Sequence, residues 1–285
     1  MLLSDALQWI QGILKKRYTE GSSREAYAIL LSLKRFNNMS QILMGLDRVK
    51  LDADEVELIQ NWTQRRAEGE PLAYLRGYEY HYGRKFKVDR NVLIPRPETE
   101  LIIQRCVQIY KEDSSYNGLR GLDIGTGSGI LPINLKLELP NSTWIATDID
   151  INCLKIAQKN SQQLNADVEF LHSHCAQGLK GPFDLIVSNP PYIRFGDPLV
   201  QEEVHQYEPH IALYAKQDGL SLIYEILNSM LKLLVHNGRG FIEIGYNQHE
   251  KIEAKLSNVK NVQISWIKDF SNIPRILEIK KDVTH

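Results

Sequence analysis

The stretch Leu122-Asp123-Ile124-Gly125-Thr126-Gly127-Ser128-Gly129 decides the fold, because its three glycines at alternate positions directly follow a short strand-like segment. Glycine adopts positive φ angles at little cost and lets the backbone approach a ligand closely. The pattern is typical of a β-strand that turns through a glycine loop into a helix. Its spacing matches neither the G-x-G-x-x-G dinucleotide fingerprint nor the P-loop, which ends in Gly-Lys-Ser/Thr.

After residue 119 the sequence alternates segments that favour strands with segments that favour helices. The predicted strands are 119–124, 143–148, 168–172, 183–188, 239–244, 262–267 and 275–280, and the predicted helices are 129–139, 150–163, 219–235 and 247–257. This alternation is typical of an α/β domain with an open, mostly parallel sheet and helices on both faces. Ligands of such sheets bind beyond the carboxyl ends of the strands.

An acidic residue, Asp148, closes the second predicted strand. A carboxylate at this place accepts hydrogen bonds from both hydroxyls of a ribose. The glycine loop and this acid together predict a nucleoside-containing cofactor, either NAD-like or S-adenosylmethionine. A degenerate domain without a ligand is the alternative. Asp150, which lies two residues further on, is predicted to cap the next helix.

The tetrapeptide Asn189-Pro190-Pro191-Tyr192 directly follows the apolar run 183–188. Two consecutive prolines fix two φ angles and provide no N–H, so this backbone does not continue a sheet ladder. The asparagine amide is therefore held on a stiff turn where a strand ends. Such a turn suits the binding of a planar group that carries an NH2, such as a carboxamide or an adenine. An ordinary strand-ending turn is the alternative interpretation.

Residues 1–72 are predicted to form a small helical bundle, because apolar residues recur there at helical spacing. Asp52 followed by Glu55 indicates the start of one helix. Residues 73–94 are rich in aromatic and β-forming residues around Gly83, which predicts a β-hairpin linker. The helical segment has no catalytic motif, so it is interpreted either as a stabilising cap or, as we prefer, as a domain that docks the substrate.

The composition excludes several classes of protein. With 285 residues, 43% hydrophobic residues and a formal net charge of −1, the chain is globular and has no general affinity for polyanions. Three widely spaced cysteines predict reduced thiols rather than a disulfide framework or a zinc site. The sequence lacks the pattern of a signal peptide and any apolar stretch of about 20 residues, which predicts a cytoplasmic protein without a membrane partner.

These motifs resemble those of the release-factor glutamine N5-methyltransferases, the PrmC/HemK group of class I S-adenosylmethionine enzymes. The resemblance covers essentially the whole chain, and it rests on residues 69–71, 74–75, 93–100, 123–129, 189–193, 208–209, 212–213, 218–220 and 243–245. The most specific string is Ile94-Pro95-Arg96-Pro97-Glu98-Thr99-Glu100, since N-P-P-Y also occurs in adenine-N6 methyltransferases and some other amino-methyltransferases.

The resemblance implies a class I methyltransferase domain over residues 95–285, with a mostly parallel, seven-stranded, Rossmann-like sheet. It also implies transfer of a methyl group from S-adenosylmethionine to the glutamine amide in the GGQ motif of bacterial-type peptide chain release factors, which supports translation termination and leaves S-adenosylhomocysteine. The implied cofactor contacts are Gly125, Thr126, Gly127, Ser128, Gly129, Asp148, Asn189 and Thr99. The implied substrate contacts are Asn189, Pro190, Pro191 and Tyr192.

The predicted catalytic residues are Asn189, Pro190 and Tyr192. We expect the Asn189 side-chain carbonyl and the Pro190 backbone carbonyl to accept the two N–H groups of the target amide. These bonds would orient the nitrogen lone pair toward the methyl group and stabilise the positive charge that develops on nitrogen. The Tyr192 ring is expected to stack on the planar amide.

One segment departs from the family pattern. After the third predicted strand, family members usually carry an acidic or small polar residue and then a bulky apolar one, whereas this chain has Ser173-His174-Cys175-Ala176. The residue that contacts adenine there is therefore not identified by the resemblance. His172 and His174 alternate along a strand, but the sequence shows no third ligand, so no metal is predicted.

Two other functions were weighed against the sequence. An adenine-N6 methyltransferase of DNA or RNA would use the same tetrapeptide and would carry a basic face. Residues 1–75 contain ten Lys and Arg against ten Asp and Glu, which is not the footprint of a nucleic-acid-binding protein. A cofactor-binding scaffold without activity is the third possibility, and the intact N-P-P-Y argues against it.

Overall fold

The computed structural model describes residues 1–112 and 118–282. It contains two compact units, Met1–Gly77 and Tyr78–His285. Within the described part of the chain, no helix combines the length and the apolar character needed to span a bilayer.

The first unit is helical, and its helices pack around one apolar core. They are α1 (Leu3–Leu14), α2 (Ser22–Leu31), α3 (Met39–Gly45), α4 (Ala53–Ala67) and α5 (Leu72–Arg76). Helix α4 begins with a capping box, in which Asp52 accepts a hydrogen bond from the Glu55 N–H and Glu55 accepts one from the Asp52 N–H. Helix α5 lies beyond the predicted end of the helical zone, and it stops where Gly77 adopts a φ of 75°.

The second unit begins with a hairpin and continues as an alternation of strands and helices. Its helices are α6 (Glu100–Glu112), α7 (Ile130–Glu138), α8 (Ile151–Leu164), α9 (Glu202–Tyr207), α10 (His210–Leu213), α11 (Ser221–Leu233) and α12 (His249–Leu256). Its strands are β1 (Tyr78–His81), β2 (Arg84–Lys87), β3 (Arg120–Ile124), β4 (Thr143–Asp148), β5 (Glu169–His172), β6 (Phe183–Ser188), β7 (Ile193–Arg194), β8 (Tyr214–Ala215), β9 (Leu234–Glu243), β10 (Val262–Lys268) and β11 (Pro274–Lys281).

The hairpin of β1 and β2 lies within the predicted linker. The two strands pair antiparallel, with Tyr78 opposite Lys87 and His81 opposite Arg84. Tyr82 and Gly83 connect them, and both have positive φ angles, 51° and 72°. Positive φ at both central residues is the geometry of a type I′ turn, whose twist matches that of the flanking strands.

The central sheet has seven strands in the order β10-β11-β9-β6-β3-β4-β5. Strands β9, β6, β3, β4 and β5 run parallel, whereas β11 runs antiparallel to β9, and β10 pairs antiparallel with β11 at the edge of the sheet. Two apolar clusters of buried residues contain the strand side chains and the apolar sides of the helices. The predicted mostly parallel, seven-stranded class I methyltransferase fold is confirmed.

The largest difference from the predicted boundaries lies between α11 and β9, whereas the other strands and helices predicted after residue 119 agree to within two residues. The helix predicted for 219–235 ends at Leu233, and the strand predicted to begin at 239 begins at Leu234. The reason is that Leu234 has an extended backbone and pairs with Phe183 of β6. The apolar periodicity of a helix followed by an apolar strand does not mark the point where one changes into the other.

The order of the strands places the site. The chain passes from β3 outward to β4 and β5, and then returns to lay β6 against the other side of β3. This reversal opens a crevice beyond the carboxyl ends of β3 and β6. The glycine loop follows β3, Asp148 ends β4, Asn189 follows β6 and Glu243 ends β9.

Candidate functional site

A cavity of about 530 Å³ lies at this carboxyl edge, and its volume is within the range of small-molecule sites. Four chain segments that follow neighbouring strands contribute to its wall. They are the glycine loop after β3, residues 148–149 after β4, residues 173–175 after β5 and residues 189–191 after β6.

The glycines of the loop have two different functions. Gly125, Gly127 and Gly129 have φ angles of 75°, 55° and 85°, which disfavour any larger residue. A Cβ added at Gly125 or Gly127 would meet no atom within 4 Å, so these two positions leave open space next to the backbone. A Cβ at Gly129 would lie 2.8 Å from the Ile133 Cδ1 atom. Gly129 is therefore required for packing, whereas the first two glycines keep the cavity accessible.

Asp148 is fixed in the wall of the cavity by backbone donors. Its Oδ2 atom accepts from the Gly127 N–H at 2.9 Å, and its Oδ1 atom accepts from the Asp150 N–H at 2.9 Å. Burial raises the pKa of this carboxyl, and the two backbone hydrogen bonds oppose the rise. Asp150 caps α8 as predicted, because its side chain accepts from the Asn152 N–H at 2.8 Å. The two acids thus have distinct roles.

Asp123, the acid in the middle of the glycine-loop strand, is completely buried. Neither of its carboxyl oxygens has a partner with hydrogen-bonding geometry among the described residues. Burial raises the pKa of Asp123 to about 7, although the nearby Thr126 hydroxyl partly offsets this effect. No role for Asp123 was predicted from the sequence. An acid within an otherwise apolar strand was the signal available.

Asn189 belongs to a hydrogen-bonded chain of four side chains. Its Nδ2 group donates to the Thr99 Oγ1 atom at 2.9 Å, and the Thr99 hydroxyl donates to the Glu243 Oε2 atom at 2.6 Å. The Tyr192 hydroxyl donates to the other oxygen of Glu243 at 2.9 Å. The carboxyl ends of β6 and β9 bring these groups together, because Ser188 lies opposite Ile242 in the parallel register.

The structure places two of the predicted site residues away from the cavity wall. Thr99, for which the family resemblance implies a cofactor contact, is completely buried and lies behind Asn189. Tyr192 is turned toward Glu243 and lines a neighbouring cavity of about 460 Å³. Asn189, Pro190 and Pro191 line the main cavity.

The specific string at residues 94–100 is joined to the segment that follows the N-P-P-Y turn. Glu208, which is almost completely buried, accepts a hydrogen bond from the Ile94 N–H at 3.1 Å and forms an ion pair with Arg96. Segment 193–215, which the sequence leaves without clear periodicity, contains short elements, and β7 pairs with β8 in it. The ion pair between Arg96 and Glu208 therefore connects the segment that leads into Thr99 with the segment that follows the N-P-P-Y turn.

The segment that departs from the family pattern meets a residue from another element. His174 Nδ1 lies 3.1 Å from the Glu225 carboxylate of α11, and Cys175 adjoins them, with the three ligand atoms within 4.8 Å of one another. No sequence pattern indicated that Glu225 would lie at this place. His172 does not join them, because its Nε2 donates to the Ile149 carbonyl at 2.8 Å. Burial and Glu225 raise the pKa of the Cys175 thiol to about 12, so the thiol is protonated at neutral pH.

Comparison with known proteins identifies the family. Residues 5–77 match the family model described as PrmC N-terminal domain, and residues 106–206 match the one described as Methyltransferase small domain. The release factor glutamine methyltransferase of Lactococcus lactis is 34% identical over 247 residues, which cover 86% of this chain and 89% of that protein. The chain belongs to the release factor glutamine methyltransferase family.

A second group of relatives in this comparison is longer. The bifunctional methyltransferase of Rickettsia typhi is 38% identical over 271 residues, which cover 88% of this chain and 52% of that protein. The chain thus spans about half the length of these bifunctional relatives. Among solved structures, a methyltransferase from Pyrococcus furiosus aligns with a TM-score of 0.53 at 18% identity, over 79% of this chain and all of that one. This likeness shows the fold.

S-Adenosylmethionine is the cofactor of this family of release factor glutamine methyltransferases, and the residues present fit it. The carboxylate of Asp148 provides acceptors for ribose hydroxyls. The positions next to Gly125 and Gly127 are open to a ligand. Asp123, whose carboxyl oxygens have no hydrogen-bond partner among the described residues, directly precedes Ile124 and Gly125 in the cavity wall. At about 530 Å³, the cavity has the volume that a ligand of this size needs.

Proposed function

We propose that this protein transfers a methyl group from S-adenosylmethionine to the side-chain amide nitrogen of the glutamine in the GGQ motif of peptide chain release factors. The observation that carries the proposal is the state of the Asn189 amide. Its NH2 group is engaged by Thr99, and its carbonyl oxygen has no partner in the described parts of the chain while the residue lines the cavity. A lone amide acceptor on a rigid turn suits a substrate that offers an NH2 group.

The chemistry requires orientation more than activation. S-Adenosylmethionine supplies a methyl group on a cationic sulfur, which is already a good leaving group. The target nitrogen is a poor nucleophile, because the delocalisation that resists rotation of an amide by about 18–20 kcal/mol also withdraws its lone pair. Correct placement of two reacting groups contributes about 7–11 kcal/mol.

The residues of the turn provide that placement. The Asn189 Oδ1 atom and the Pro190 carbonyl accept the two N–H bonds of the glutamine amide, which turns the nitrogen lone pair toward the methyl group. The same two acceptors stabilise the positive charge that develops on nitrogen. Pro190 and Pro191 fix the backbone, so the geometry requires little reorganisation. Loss of the extra proton to water completes the reaction, since the alkylated amide nitrogen is strongly acidic.

The domain organisation supports a protein substrate. We assign residues 1–72 to docking of the release factor, 73–94 to a hairpin linker and 95–285 to the methyltransferase domain. The match of residues 5–77 to the PrmC N-terminal domain supports the first assignment. Release factors act on ribosomes in the cytoplasm, so this function also places the protein there.

The test is methyl transfer with localisation of the product. Purified protein and methyl-labelled S-adenosylmethionine are incubated in parallel with a release factor, with the same factor carrying Ala in place of the GGQ glutamine, and with DNA. We expect label in the first sample alone and a mass increase of one methyl group on that glutamine. Label in DNA alone would show an adenine methyltransferase and overturn the proposal.

The variant Asn189→Ala separates the role of the turn from cofactor binding. We expect it to lose most turnover, because one acceptor for the target NH2 is gone, while the affinity for S-adenosylmethionine measured by calorimetry stays within about tenfold of wild type. Turnover near that of the wild type would contradict the assignment of Asn189.

A further inference from the structure

We propose that Thr99 and Glu243 are positioning residues that determine which end of the Asn189 amide faces the substrate. This inference rests on the proposed function, in which the carbonyl end is the one required. The family resemblance assigns Thr99 to the cofactor, whereas the structure gives it a different set of neighbours.

The direction of the hydrogen bonds in this chain depends on the charge of Glu243. An ionised carboxylate has no proton and only accepts. In its ionised form, Glu243 therefore accepts from the Thr99 hydroxyl at Oε2, at 2.6 Å, and from the Tyr192 hydroxyl at Oε1, at 2.9 Å. Because the single proton of Thr99 is used in this way, its oxygen has only lone pairs to offer to Asn189.

The consequence for Asn189 follows directly. The atom 2.9 Å from the Thr99 oxygen must be a donor, so it is the Nδ2 group of the asparagine. The carbonyl oxygen then lies at the opposite side of the same amide, toward the cavity that the residue lines. A reversed amide would present an NH2 group to the NH2 group of the substrate, and neither could accept.

Burial of Thr99 and Glu243 strengthens the preference for this orientation of the Asn189 amide. Thr99 and Glu243 are both completely buried, so water does not compete for their hydrogen bonds and an unpaired group costs free energy. Burial raises the pKa of Glu243, whereas the bonds from Thr99 and Tyr192 and the nearby Arg275 guanidinium favour its ionised form. The negative charge of Glu98 disfavours the ionised form of Glu243. The carboxylate thus has both hydrogen-bond donors and a cation to stabilise it.

The three hydrogen-bonded residues come from separate elements of the fold, which explains why the arrangement is rigid. Glu243 ends β9, Asn189 follows β6 on the neighbouring parallel strand, and Thr99 closes the short turn Pro97–Thr99 before α6. Three separate elements thus meet at one carboxylate. Displacement of any of them would change the angle of the asparagine amide, and misplacement of about 1 Å can cost about 10²-fold in rate.

The experiment compares Thr99→Val with Thr99→Ser. Valine keeps the shape and removes the hydroxyl, whereas serine keeps the hydroxyl. We expect Thr99→Val to lower kcat about 100-fold with an unchanged dissociation constant for S-adenosylmethionine, and Thr99→Ser to restore most of the turnover. Wild-type kcat in Thr99→Val, or equal loss in both variants, would refute the proposal. Loss of cofactor affinity in parallel with kcat would assign Thr99 to the cofactor instead.

A second variant and a second readout keep the test independent of folding and of the substrate. Glu243→Gln has nearly the same volume but places a donor where only acceptors stood, so we expect a lower kcat without loss of cofactor binding. In 15N-labelled protein, Asn189→Asp identifies the resonance of the Asn189 side-chain NH2 group. The protons of this group should exchange slowly with solvent in the wild type and faster in Thr99→Val and in Glu243→Gln. Fast exchange in the wild type would refute the hydrogen bond to Thr99 even if no release factor were methylated.

Discussion

The buried carboxyl of Asp123 should make this protein less stable as the pH rises from about 4 to about 7, and Asp123→Asn should remove the effect. The side chain is completely buried and has no partner among the residues described. Its pKa is about 7 in the folded protein against an ordinary value of 3.8. The folded state therefore retains a proton that the unfolded chain has released, and stability falls where the unfolded state binds fewer protons.

The size of the effect follows from the difference in pKa. A difference of about three units at 1.36 kcal/mol per unit corresponds to about 4 kcal/mol. The penalty is absent below pH 4, where the carboxyl is protonated in both states, and complete above pH 7. About half of it has developed at pH 5.5, so the gain in stability from Asp123→Asn should be about 2 kcal/mol larger at pH 8 than at pH 5.5. That is a large part of the 5–15 kcal/mol typical of a domain.

Unfolding in urea at these two pH values measures the difference. The chain has four tryptophans, of which Trp9 and Trp62 lie in the first unit and Trp144 and Trp266 in the second. A background with Trp9→Phe and Trp62→Phe confines the fluorescence signal to the unit that contains Asp123. An equal gain at pH 5.5 and pH 8, or a loss at both, would refute the linkage argument.

The same variant should weaken the binding of S-adenosylmethionine, because an uncharged amide does not balance its cationic groups. Calorimetry in buffers with different ionisation enthalpies provides a second check in the wild type. If the bound cofactor favours the ionised carboxyl, binding near pH 7 should release a proton, and Asp123→Asn should abolish this release. A variant that gained stability and kept full affinity would show that Asp123 has no part in the site.

Two further predictions use pairs of variants. Asp148→Ala should weaken S-adenosylmethionine binding roughly 10- to 100-fold, as expected for lost hydrogen bonds to a charged group. Asp150→Ala should cost only about 1 kcal/mol of helix capping, with the affinity for the cofactor retained. Calorimetry measures the affinities and urea unfolding the stabilities, and equal affinities of the two variants would contradict the assignment of Asp148 to the cofactor. Gly219→Ala should destabilise the second unit and reduce turnover more than Gly83→Ala. Both glycines have a positive φ, but only at Gly219 would the new Cβ lie 1.9 Å from a backbone oxygen, the carbonyl oxygen of Tyr192. Positive φ alone costs about 1–2 kcal/mol, so similar stabilities of the two variants would show that the turn relaxes without strain.

The sequence was sufficient for the class of fold and for the cavity-wall residues that lie at the carboxyl ends of β3, β4 and β6. Alternating apolar segments indicate a parallel sheet, and the residues that bind ligands in such a sheet follow its strands, so Gly125, Asp148 and Asn189 could be placed at one edge. The sequence was not sufficient for contacts between distant segments. Glu225 lies fifty residues after Cys175 on another element, and only the packing of α11 brings it to the cavity.

Thr99 and Glu243 illustrate the same limit in another way. Each is an ordinary residue in its own segment, and 144 positions separate them along the chain. A motif shows that Thr99 belongs to a site, but its role depends on which atoms surround it. Whether the hydroxyl donates to a carboxylate or contacts a ligand is decided by the register of β9 against β6, which local sequence patterns do not encode.

The two buried acids at this edge of the sheet differ in a way that separates positioning from ligand binding. Both Asp123 and Glu243 are completely buried, and burial raises the pKa of each. Glu243 has a hydroxyl donor on each oxygen and Arg275 nearby, so its charge is balanced by the protein itself. Asp123 has no hydrogen bond of good geometry among the described residues, and only the nearby Thr126 hydroxyl partly offsets the effect of its burial. Its chain neighbours Ile124 and Gly125 line the cavity, so the calorimetric comparison of wild type with Asp123→Asn tests whether a group of the bound cofactor completes this carboxyl.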